Sequence, residues 1–415
     1  MADFRDTMAD LQNAYTSDAI PWVIGYSGGK DSTTLLQLVF YALSRLPKHK
    51  LQKEVHVLSN DTMVENPAIR EHVDAQLAKI ERAGKQKLFA HAPQLFSAVK
   101  VKPKLDDRFW VNLIGRGYPS PNHWFRWCTD RLKIRPTNDY VRETVTKHGK
   151  VIILLGTRTA ESASRAATMK AHDTGERFRK HSLPNAFVYP PIAEWPNNEV
   201  WAYLLQAPNP WGSNNKELLK LYRSACDGGE CPFVIETGTQ SCGKSRFGCW
   251  VCTVVERDRA MANFVANGYE WMEGLLAFRN WLQSIRQQDQ QHIPKAHASK
   301  NVKFGAFLLK TRKAILERLL KMQEELSIEL IAQEELARVE LMLARDCDGQ
   351  PDDSVRRFEL QLVNGKRLAL FCDFDVLKTD RIRLGPFVLK GAKVRTCRRL
   401  SANFSQSTRL MYHTA

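Results

Sequence analysis

The stretch YSGGKDST, residues 26–33, follows the apolar run PWVIG at 21–25 and leads into a helical pattern. Adjacent glycines let the backbone turn sharply and approach a ligand closely. Amides at the start of a helix point toward an anion, and Lys30 adds positive charge. The hydroxyl donors in the stretch are Ser27, Ser32 and Thr33. The segment therefore predicts a phosphate cradle between a strand and a helix, although it lacks the G-x-x-x-x-G-K-[ST] pattern of a Walker A loop.

Short β-branched runs alternate with helical patterns through the first half of the chain. The predicted helices are residues 32–46 and 69–83. The predicted strands are residues 21–26, 54–59, 87–92, 150–156 and 186–192. Such alternation predicts an α/β fold with a doubly wound parallel sheet, whose ligands bind at the carboxyl ends of the strands. The cradle lies at such an end.

Composition narrows the class of protein. The chain has 415 residues, 43% of them hydrophobic, and a formal net charge of +16. Its sequence contains no apolar run of the ~20 residues that a membrane-spanning helix needs, so we expect a cytoplasmic protein without membrane association. The positive charge favours polyanionic partners. It is concentrated in residues 376–415, which carry nine lysines and arginines against Asp380 alone.

The cradle resembles the PP-loop of the N-type ATP pyrophosphatases, which split ATP between its α and β phosphates. Further segments resemble the phosphoadenylyl-sulfate (PAPS) reductase branch of that family. They are Asn60-Asp61-Thr62, the WCTDRLK stretch at 127–133, the GTR stretch at 156–158 with the residues up to 166, and the PI…W…VW stretch at 191–201.

This resemblance implies a site for ATP with Mg²⁺. It assigns catalytic roles to Lys30, Asp31 and Arg158, and we expect Arg158 to make a bidentate phosphate contact. The nucleotide-binding residues that it implies are Ser27, Gly28, Gly29, Lys30, Asp31, Ser32, Thr33, Asp61, Gly156, Arg158 and Arg165. The chain lacks both the Glu-Cys-Gly tail of PAPS reductases and the Cys-Cys pair of adenylyl-sulfate reductases, which disfavours sulfate reduction.

Nine cysteines in a cytoplasmic chain argue against a disulfide framework. Cys231, Cys242, Cys249 and Cys252 form the pattern C-x10-C-x6-C-x2-C, with Cys226 five residues earlier. Four thiolates in a turn-rich segment can close on one metal centre, either tetrahedral zinc or an iron–sulfur cluster. Spacing alone does not separate the two.

Residues 241–253, SCGKSRFGCWVCT, resemble the cysteine-rich segment of the C component of bacterial DNA phosphorothioation systems, the Dnd proteins and their Ssp relatives. That resemblance implies a [4Fe–4S] cluster, cleavage of ATP to activate a DNA phosphate for sulfur, and three kinds of partner: DNA, a cysteine desulfurase as sulfur donor and other subunits of the complex. Changes of composition and periodicity along the chain divide it into a PP-loop domain (1–206), an iron–sulfur segment (207–260), a helical region (261–346) and a basic segment without an assigned role (347–415).

Cys128 lies outside the cluster motif, between Arg126 and Arg131. Flanking guanidinium groups are expected to lower the pKa of a thiol and so favour the thiolate. Cys128 is therefore a candidate catalytic sulfur carrier, and a buried core thiol is the alternative. The aromatic residues around it favour either a core or a stacking surface for nucleotides.

Two other functions fit parts of this pattern. PP-loop enzymes that thiolate tRNA also bind iron–sulfur clusters, although neither their cysteine spacing nor an RNA-binding module is recognisable here. A DNA-binding scaffold whose PP-loop only senses nucleotide is the non-enzymatic alternative. The intact cradle and Arg158 argue against that alternative.

Overall fold

The computed structural model describes residues 4–85, 89, 92–161, 167, 169–170, 175–225, 247–293 and 305–347, and four short strands between 358 and 390. The chain divides into two compact units, Met1–Glu340 and Leu341–Ala415. This division does not test the predicted boundaries at residues 206, 260 and 346, which stay predictions.

A six-stranded sheet forms the centre of the first unit. Its strands are β1 Trp22–Gly25, β2 Val55–Asn60, β3 Phe96–Val101, β4 Val151–Leu154, β5 Arg179–Lys180 and β6 Ala186–Tyr189. They lie in the order β3-β2-β1-β4-β6-β5. All pairs are parallel except β5 with β6. The chain order reverses between β1 and β4, so a crevice forms at the carboxyl ends of these two strands.

Helices cover both faces of the sheet, which confirms the predicted α/β fold. The helices are α1 Phe4–Thr16, α2 Lys30–Ser44, α3 Pro67–Lys85, α4 Arg135–His148, α5 Asn197–Gln206, α6 Asn215–Ser224, α7 Arg259–Ala266, α8 Glu273–Arg286, α9 Leu309–Leu326 and α10 Gln333–Cys347. Successive side chains of a strand point to opposite faces. Accordingly, Trp22 and Ile24 of β1 join the core formed with α1, α2 and α5, whereas Val23 packs with Val141 of α4 on the other face.

The third strand lies later in the sequence than predicted. It is Phe96–Val101, whereas the prediction placed it at residues 87–92, of which the structure describes only Phe89 and Ala92. Phe89 is fully buried, with its ring 5.6 Å from that of Phe40 and 4.8 Å from that of Phe96. The apolar character of the segment thus reflects a core contribution from Phe89.

Short turns connect several of these elements. An α-helical turn spans Trp127–Thr129. The 3₁₀ turns are Lys48–Lys50, Leu105–Asp107, Thr159–Glu161, Glu270–Met272 and Asp289–Gln291, and the π turns are Val111–Gly115 and Asp130–Ile134.

The C-terminal half contains the helix pair α9 and α10. A hairpin is formed by the antiparallel strands β7 Phe358–Gln361 and β8 Arg367–Leu370. A second hairpin pairs β9 Arg381–Leu384 with β10 Phe387–Lys390. Among the helices that the structure describes, none is both long and apolar enough to cross a membrane.

Candidate functional site

The predicted cradle lies directly after β1. Gly28 adopts a φ of +72°, and a Cβ there would lie 2.6 Å from Cγ2 of Val73, so only glycine fits. Ser32 Oγ donates to the carbonyl of Gly29 at 3.0 Å and lies 3.2 Å from Ser27 Oγ. These contacts fold the loop back on the first turn of α2, where unpaired backbone amides can receive an anion.

The loop after β4 approaches the cradle from the other side of the crevice. A Cβ on Gly156 would lie 2.8 Å from the carbonyl oxygen of Asp31 and 3.0 Å from the backbone nitrogen of Ser32. Glycine at this position therefore permits direct backbone contact between the two loops. The reversal of strand order brings together segments more than 120 residues apart.

Asp31 holds two cations in the crevice. Its Oδ2 lies 2.8 Å from Lys30 Nζ, and its Oδ1 accepts a hydrogen bond of 2.6 Å from Nε of Arg158. The guanidinium of Arg158 is 2% exposed and also donates from Nη1 to the carbonyl of Trp195 at 2.9 Å. Arg158 thus positions Asp31, and its expected bidentate contact with phosphate stays a prediction.

A cavity of about 550 Å³ occupies the crevice, a volume typical of ligand pockets, which span ~300–1,000 Å³. The predicted nucleotide-binding residues that line it are Ser27, Gly29, Lys30, Asp31, Ser32, Asp61, Gly156 and Arg158. Gly28 and Thr33 are not among the lining residues; the side chain of Thr33 is buried. Arg165 lies outside the described residues. The residue types present fit a nucleotide polyphosphate.

Among the lining residues that the sequence analysis did not identify, two contact predicted nucleotide-binding residues. The hydroxyl of Tyr222, on α6, accepts a hydrogen bond of 3.2 Å from the backbone N–H of Lys30, and its ring lies 5.7 Å from Lys30 Nζ. Lys100, at the end of β3, lies 3.1 Å from Oδ2 of Asp61. No local pattern marks either residue, because each reaches the cavity only through the packing of its element.

The Cys249–Cys252 turn is joined to the segment that follows β2. Cys249 forms an isolated antiparallel bridge with Glu65, and the N–H of Trp250 donates to the carbonyl of Val64 at 3.1 Å. The indole of Trp250 is 2% exposed and anchors the turn. Two of the predicted metal ligands, Cys249 and Cys252, therefore lie at the carboxyl edge of the sheet. The other two, Cys231 and Cys242, lie outside the described residues.

Cys128 lies near this turn, in a different electrostatic setting from the predicted one. Burial raises the pKa of its thiol, and the neighbouring Cys252 raises it further. Of the flanking cations, Arg126 bonds His123 at 2.9 Å and Arg131 pairs with Asp107 at 2.5 Å. Both guanidinium groups are thus engaged elsewhere, and the predicted lowering of the thiol pKa by them is wrong.

Lys133 connects the thiols to the cavity. Its amine lies 3.7 Å from Oε1 of Glu65, and its side chain lines the nucleotide cavity. The negative charge of Glu65 raises the pKa of Lys133, with smaller contributions from Cys249, Cys128 and Cys252. Lys133 therefore lies in one wall of the nucleotide cavity and is also close to three cysteines that come from two distant segments of the chain.

The comparison with known families agrees with this geometry. A family model described as "Phosphoadenosine phosphosulfate reductase domain" matches residues 21–255, more than half of the chain. The chain belongs to the phosphoadenosine phosphosulfate reductase domain family. The match includes the cradle, the Cys128 segment and the Cys249–Cys252 turn.

Individual relatives are distant. An uncharacterized protein of Methanocaldococcus jannaschii is 24% identical over 253 residues, which are 61% of this chain but 40% of that protein. The chain thus spans less than half the length of this relative. PAPS reductase from Candida auris in a phosphate complex is 14% identical, with a TM-score of 0.32, over 51% of this chain and 83% of that chain. The U34-tRNA thiolase NcsA from Methanococcus maripaludis, with its [4Fe-4S] cluster, is 13% identical, with a TM-score of 0.30, over 72% and 85%.

Proposed function

We propose that this protein is the sulfurtransferase component of a DNA phosphorothioation system and cleaves ATP to AMP and pyrophosphate to activate a backbone phosphate. The observation that carries the proposal is the shared position of Lys133. It lines the nucleotide cavity, pairs with Glu65 next to Cys249, and is close enough to the thiols of Cys128, Cys249 and Cys252 for their charge to affect its pKa. Phosphate activation and sulfur delivery can therefore occur side by side.

The cavity supplies the activation step. A nonbridging oxygen of the DNA phosphate attacks the α-phosphorus of ATP, and pyrophosphate leaves into the cradle, where the α2 amides and Lys30 stabilise its charge. Asp31, fixed by Arg158, holds the ammonium group of Lys30 in place. Asp61 is the carboxylate we assign to the Mg²⁺ that accompanies ATP, because magnesium favours one or two carboxylates together with substrate phosphates. The adenylated phosphate then carries AMP as its leaving group.

The thiols supply the sulfur step. A cysteine desulfurase transfers sulfur to Cys128 as a persulfide, whose terminal sulfur attacks the activated phosphorus while the bond to AMP breaks. A second thiol, such as that of free cysteine, then attacks Cys128 and forms a disulfide with it, which breaks the S–S bond and leaves the sulfur on the DNA phosphate. A [4Fe–4S] cluster, for which Cys231, Cys242, Cys249 and Cys252 are the assigned ligands, would be held by four thiolates and would supply one-electron redox chemistry.

DNA is the partner that the surface near Cys128 fits best. Trp124 is 74% exposed, beside the His123–Arg126 pair. An exposed indole next to a cation suits stacking on an unpaired base, and the net charge of +16 suits a polyanion. The same chemistry fits activation of a tRNA base oxygen, so tRNA belongs in the test.

Anaerobically purified protein, supplied with ATP, Mg²⁺, cysteine and a cysteine desulfurase, tests the proposal. We expect release of pyrophosphate with DNA and phosphorothioate in the digested DNA, measured by mass spectrometry. Lys30→Ala should abolish both, whereas Lys48→Ala, on an exposed surface, should abolish neither. Thiolated tRNA with unmodified DNA would overturn the choice of DNA, and absence of ATP cleavage with either nucleic acid would overturn the enzymatic assignment.

Cys128→Ser tests the role of Cys128 as a sulfur carrier, and retained sulfur incorporation would make Cys128 a core thiol instead. A sulfur carrier predicts loss of phosphorothioate with unchanged pyrophosphate release and unchanged iron, about four iron and four sulfide per chain. Iron that falls together with sulfur incorporation would instead make Cys128 a cluster ligand. Cys249→Ser should lose iron and sulfide in either case, and one zinc without sulfide in the wild type would overturn the cluster.

A further inference from the structure

A second group of potential ligands lies at the opposite end of the sheet from the nucleotide cavity. Glu54 precedes β2, His56 is the second residue of that strand, and His148 is the last residue of α4. Because side chains two residues apart on an extended strand share a face, Glu54 and His56 point the same way. The α4 helix covers this face, with the Tyr140 ring 6.0 Å from that of His56. Gly149, with a φ of +79°, ends the helix directly after His148.

The three donor atoms are spaced for one metal ion. Nε2 of His56 lies 3.2 Å from Oε2 of Glu54, and Nε2 of His148 lies 3.7 Å from the same oxygen. All three donors lie within 4.8 Å of one another. Zinc bonds of ~2.0–2.1 Å at tetrahedral angles place nitrogen and oxygen donors ~3.3–3.4 Å apart. Small side-chain rotations would therefore bring all three onto one ion.

The contacts of His56 also favour a bound cation. Its Nδ1 lies 2.8 Å from Oγ of Ser97, and its Nε2 lies 3.2 Å from a carboxylate oxygen of Glu54. With Nδ1 beside the Ser97 hydroxyl, Nε2 faces the Glu54 carboxylate, and a metal ion between them would take the place of the proton on Nε2. Hydrogen bonding of the other ring nitrogen is the usual way in which a metal-bound histidine is oriented.

We propose that Glu54, His56 and His148 bind one divalent zinc-class ion, at a site separate from both the nucleotide cavity and the cysteines. Two imidazoles and one carboxylate suit zinc and similar transition metals better than they suit Mg²⁺ or Ca²⁺, which favour oxygen ligands. The Glu54 side chain is 42% exposed, which leaves the remaining coordination position open to water. Lys147, with Nζ 3.5 Å from both carboxylate oxygens, is the cation that the metal would displace.

Such an ion would tie β2 to the end of α4 and to the turn that leads into β4. The carboxyl ends of β2 and β4 border the nucleotide crevice, whereas the metal would lie at their amino ends. The metal would therefore act on the stability of the sheet and helix packing, and the site lies too far along the strands to touch ATP.

The test adds cobalt(II) to the anaerobically purified full chain. The cysteines should first be occupied by their own cluster or metal, so that they do not bind the added cobalt. We expect d–d absorption of a tetrahedral nitrogen–oxygen site without the charge-transfer band of cobalt–thiolate bonds. His148→Ala and Glu54→Gln should lose this absorption, and Cys249→Ser should keep it. Ser97→Ala should bind about 10–100-fold more weakly, as expected when the partner of a ligating histidine is removed.

Zinc should also raise the Tm of the wild type and leave that of His148→Ala unchanged. Each protein is compared with its own metal-free form, because the His148 side chain is only 23% exposed and its removal can lower the Tm without any metal. Equal cobalt absorption in wild type and His148→Ala would overturn the proposal, as would absorption that disappears only in Cys249→Ser. Absence of binding at a tenfold excess of metal would reduce the group to an ion-pair network.

Discussion

Single glycines decide whether the two halves of the nucleotide crevice can meet. The paired glycines of the cradle are recognisable in the sequence, but the requirement at Gly156 arises from the backbone of Asp31 and Ser32 on the other loop. Local sequence carries no sign of that contact. The same holds for Lys133, which the sequence shows as one cation of a motif and the structure places between thiols and nucleotide.

Gly156→Ala should disrupt the crevice. Its Cβ would lie 2.8 Å from the Asp31 carbonyl, so either loop must move, at a cost of about 1–3 kcal/mol in the free energy of unfolding. We expect ATP-dependent pyrophosphate release to fall with it. Urea unfolding and the pyrophosphate assay measure both effects.

Gly274→Ala is the matched control for this substitution. A Cβ at Gly274 meets nothing within 4 Å, and the position lies in α8, where alanine is the better helix former by up to about 1 kcal/mol. Its activity should be unchanged and its stability equal or higher. A Gly156→Ala protein as active as this control would show that the loops do not need close backbone contact.

At the scale of elements, α8 holds the Cys249–Cys252 turn through one buried side chain. Arg279 is fully buried; its Nε donates to the carbonyl of Cys252 at 2.7 Å and its Nη1 to that of Glu256 at 3.0 Å. Arg279→Met should release these carbonyls and lower the iron content of the purified protein. Binding of ATP should persist because the cradle lies on β1 and α2. Arg259→Met, at an exposed position, should retain its iron.

The α10 helix makes a pH-dependent contact with the turn around Trp110. Glu335 is 1% exposed and accepts a hydrogen bond of 2.9 Å from the Trp110 N–H, and burial raises the pKa of Glu335 from 4.5 to about 7. The folded state therefore retains a proton that the unfolded state has lost. Stability from this group is complete below about pH 4.5 and is lost as the pH rises toward 7, by up to about 3 kcal/mol.

Glu335→Gln should remove that dependence. Glutamine keeps an acceptor for the Trp110 N–H and never ionises, so the variant should gain stability relative to wild type between pH 5 and 8. Unfolding free energies in urea at both pH values give the difference. Glu317→Gln, at an exposed position on α9, should show no such gain; an equal gain there would assign the effect to overall charge.

The sequence was sufficient to predict most of the strands and two helices of the sheet domain, but not the contacts between elements. Periodicity located β1, β2, β4, β6, α2 and α3, because the burial of a strand or helix shows in its own pattern of apolar residues. It misplaced β3, since the buried Phe89 imitates a strand residue. The approach of Cys128 to the Cys249–Cys252 turn depends on the path of the whole chain, and no local pattern encodes it.

At the scale of the whole molecule, positive charge is distributed unevenly, and residues 376–415 hold nine lysines and arginines. If DNA is the substrate, these residues are suited to phosphate contacts that position the duplex without reading its sequence. The logarithm of the binding constant falls linearly with the logarithm of the salt concentration, and each phosphate contact that is lost reduces this slope by about 0.9.

Replacing Arg395, Arg398 and Arg399 by glutamine should therefore weaken DNA binding and reduce the slope of log K against log salt by up to about 2.7. Cleavage of ATP at saturating DNA should be unchanged, because the nucleotide cavity is formed by residues 23–247. A control with the same charge loss replaces Lys48, Lys50 and Lys321, which lie on exposed surfaces of the first unit. Equal slopes for the two triple variants would mean that the basic segment contributes only net charge, whereas a smaller slope for the tail variant alone would assign it to the DNA backbone.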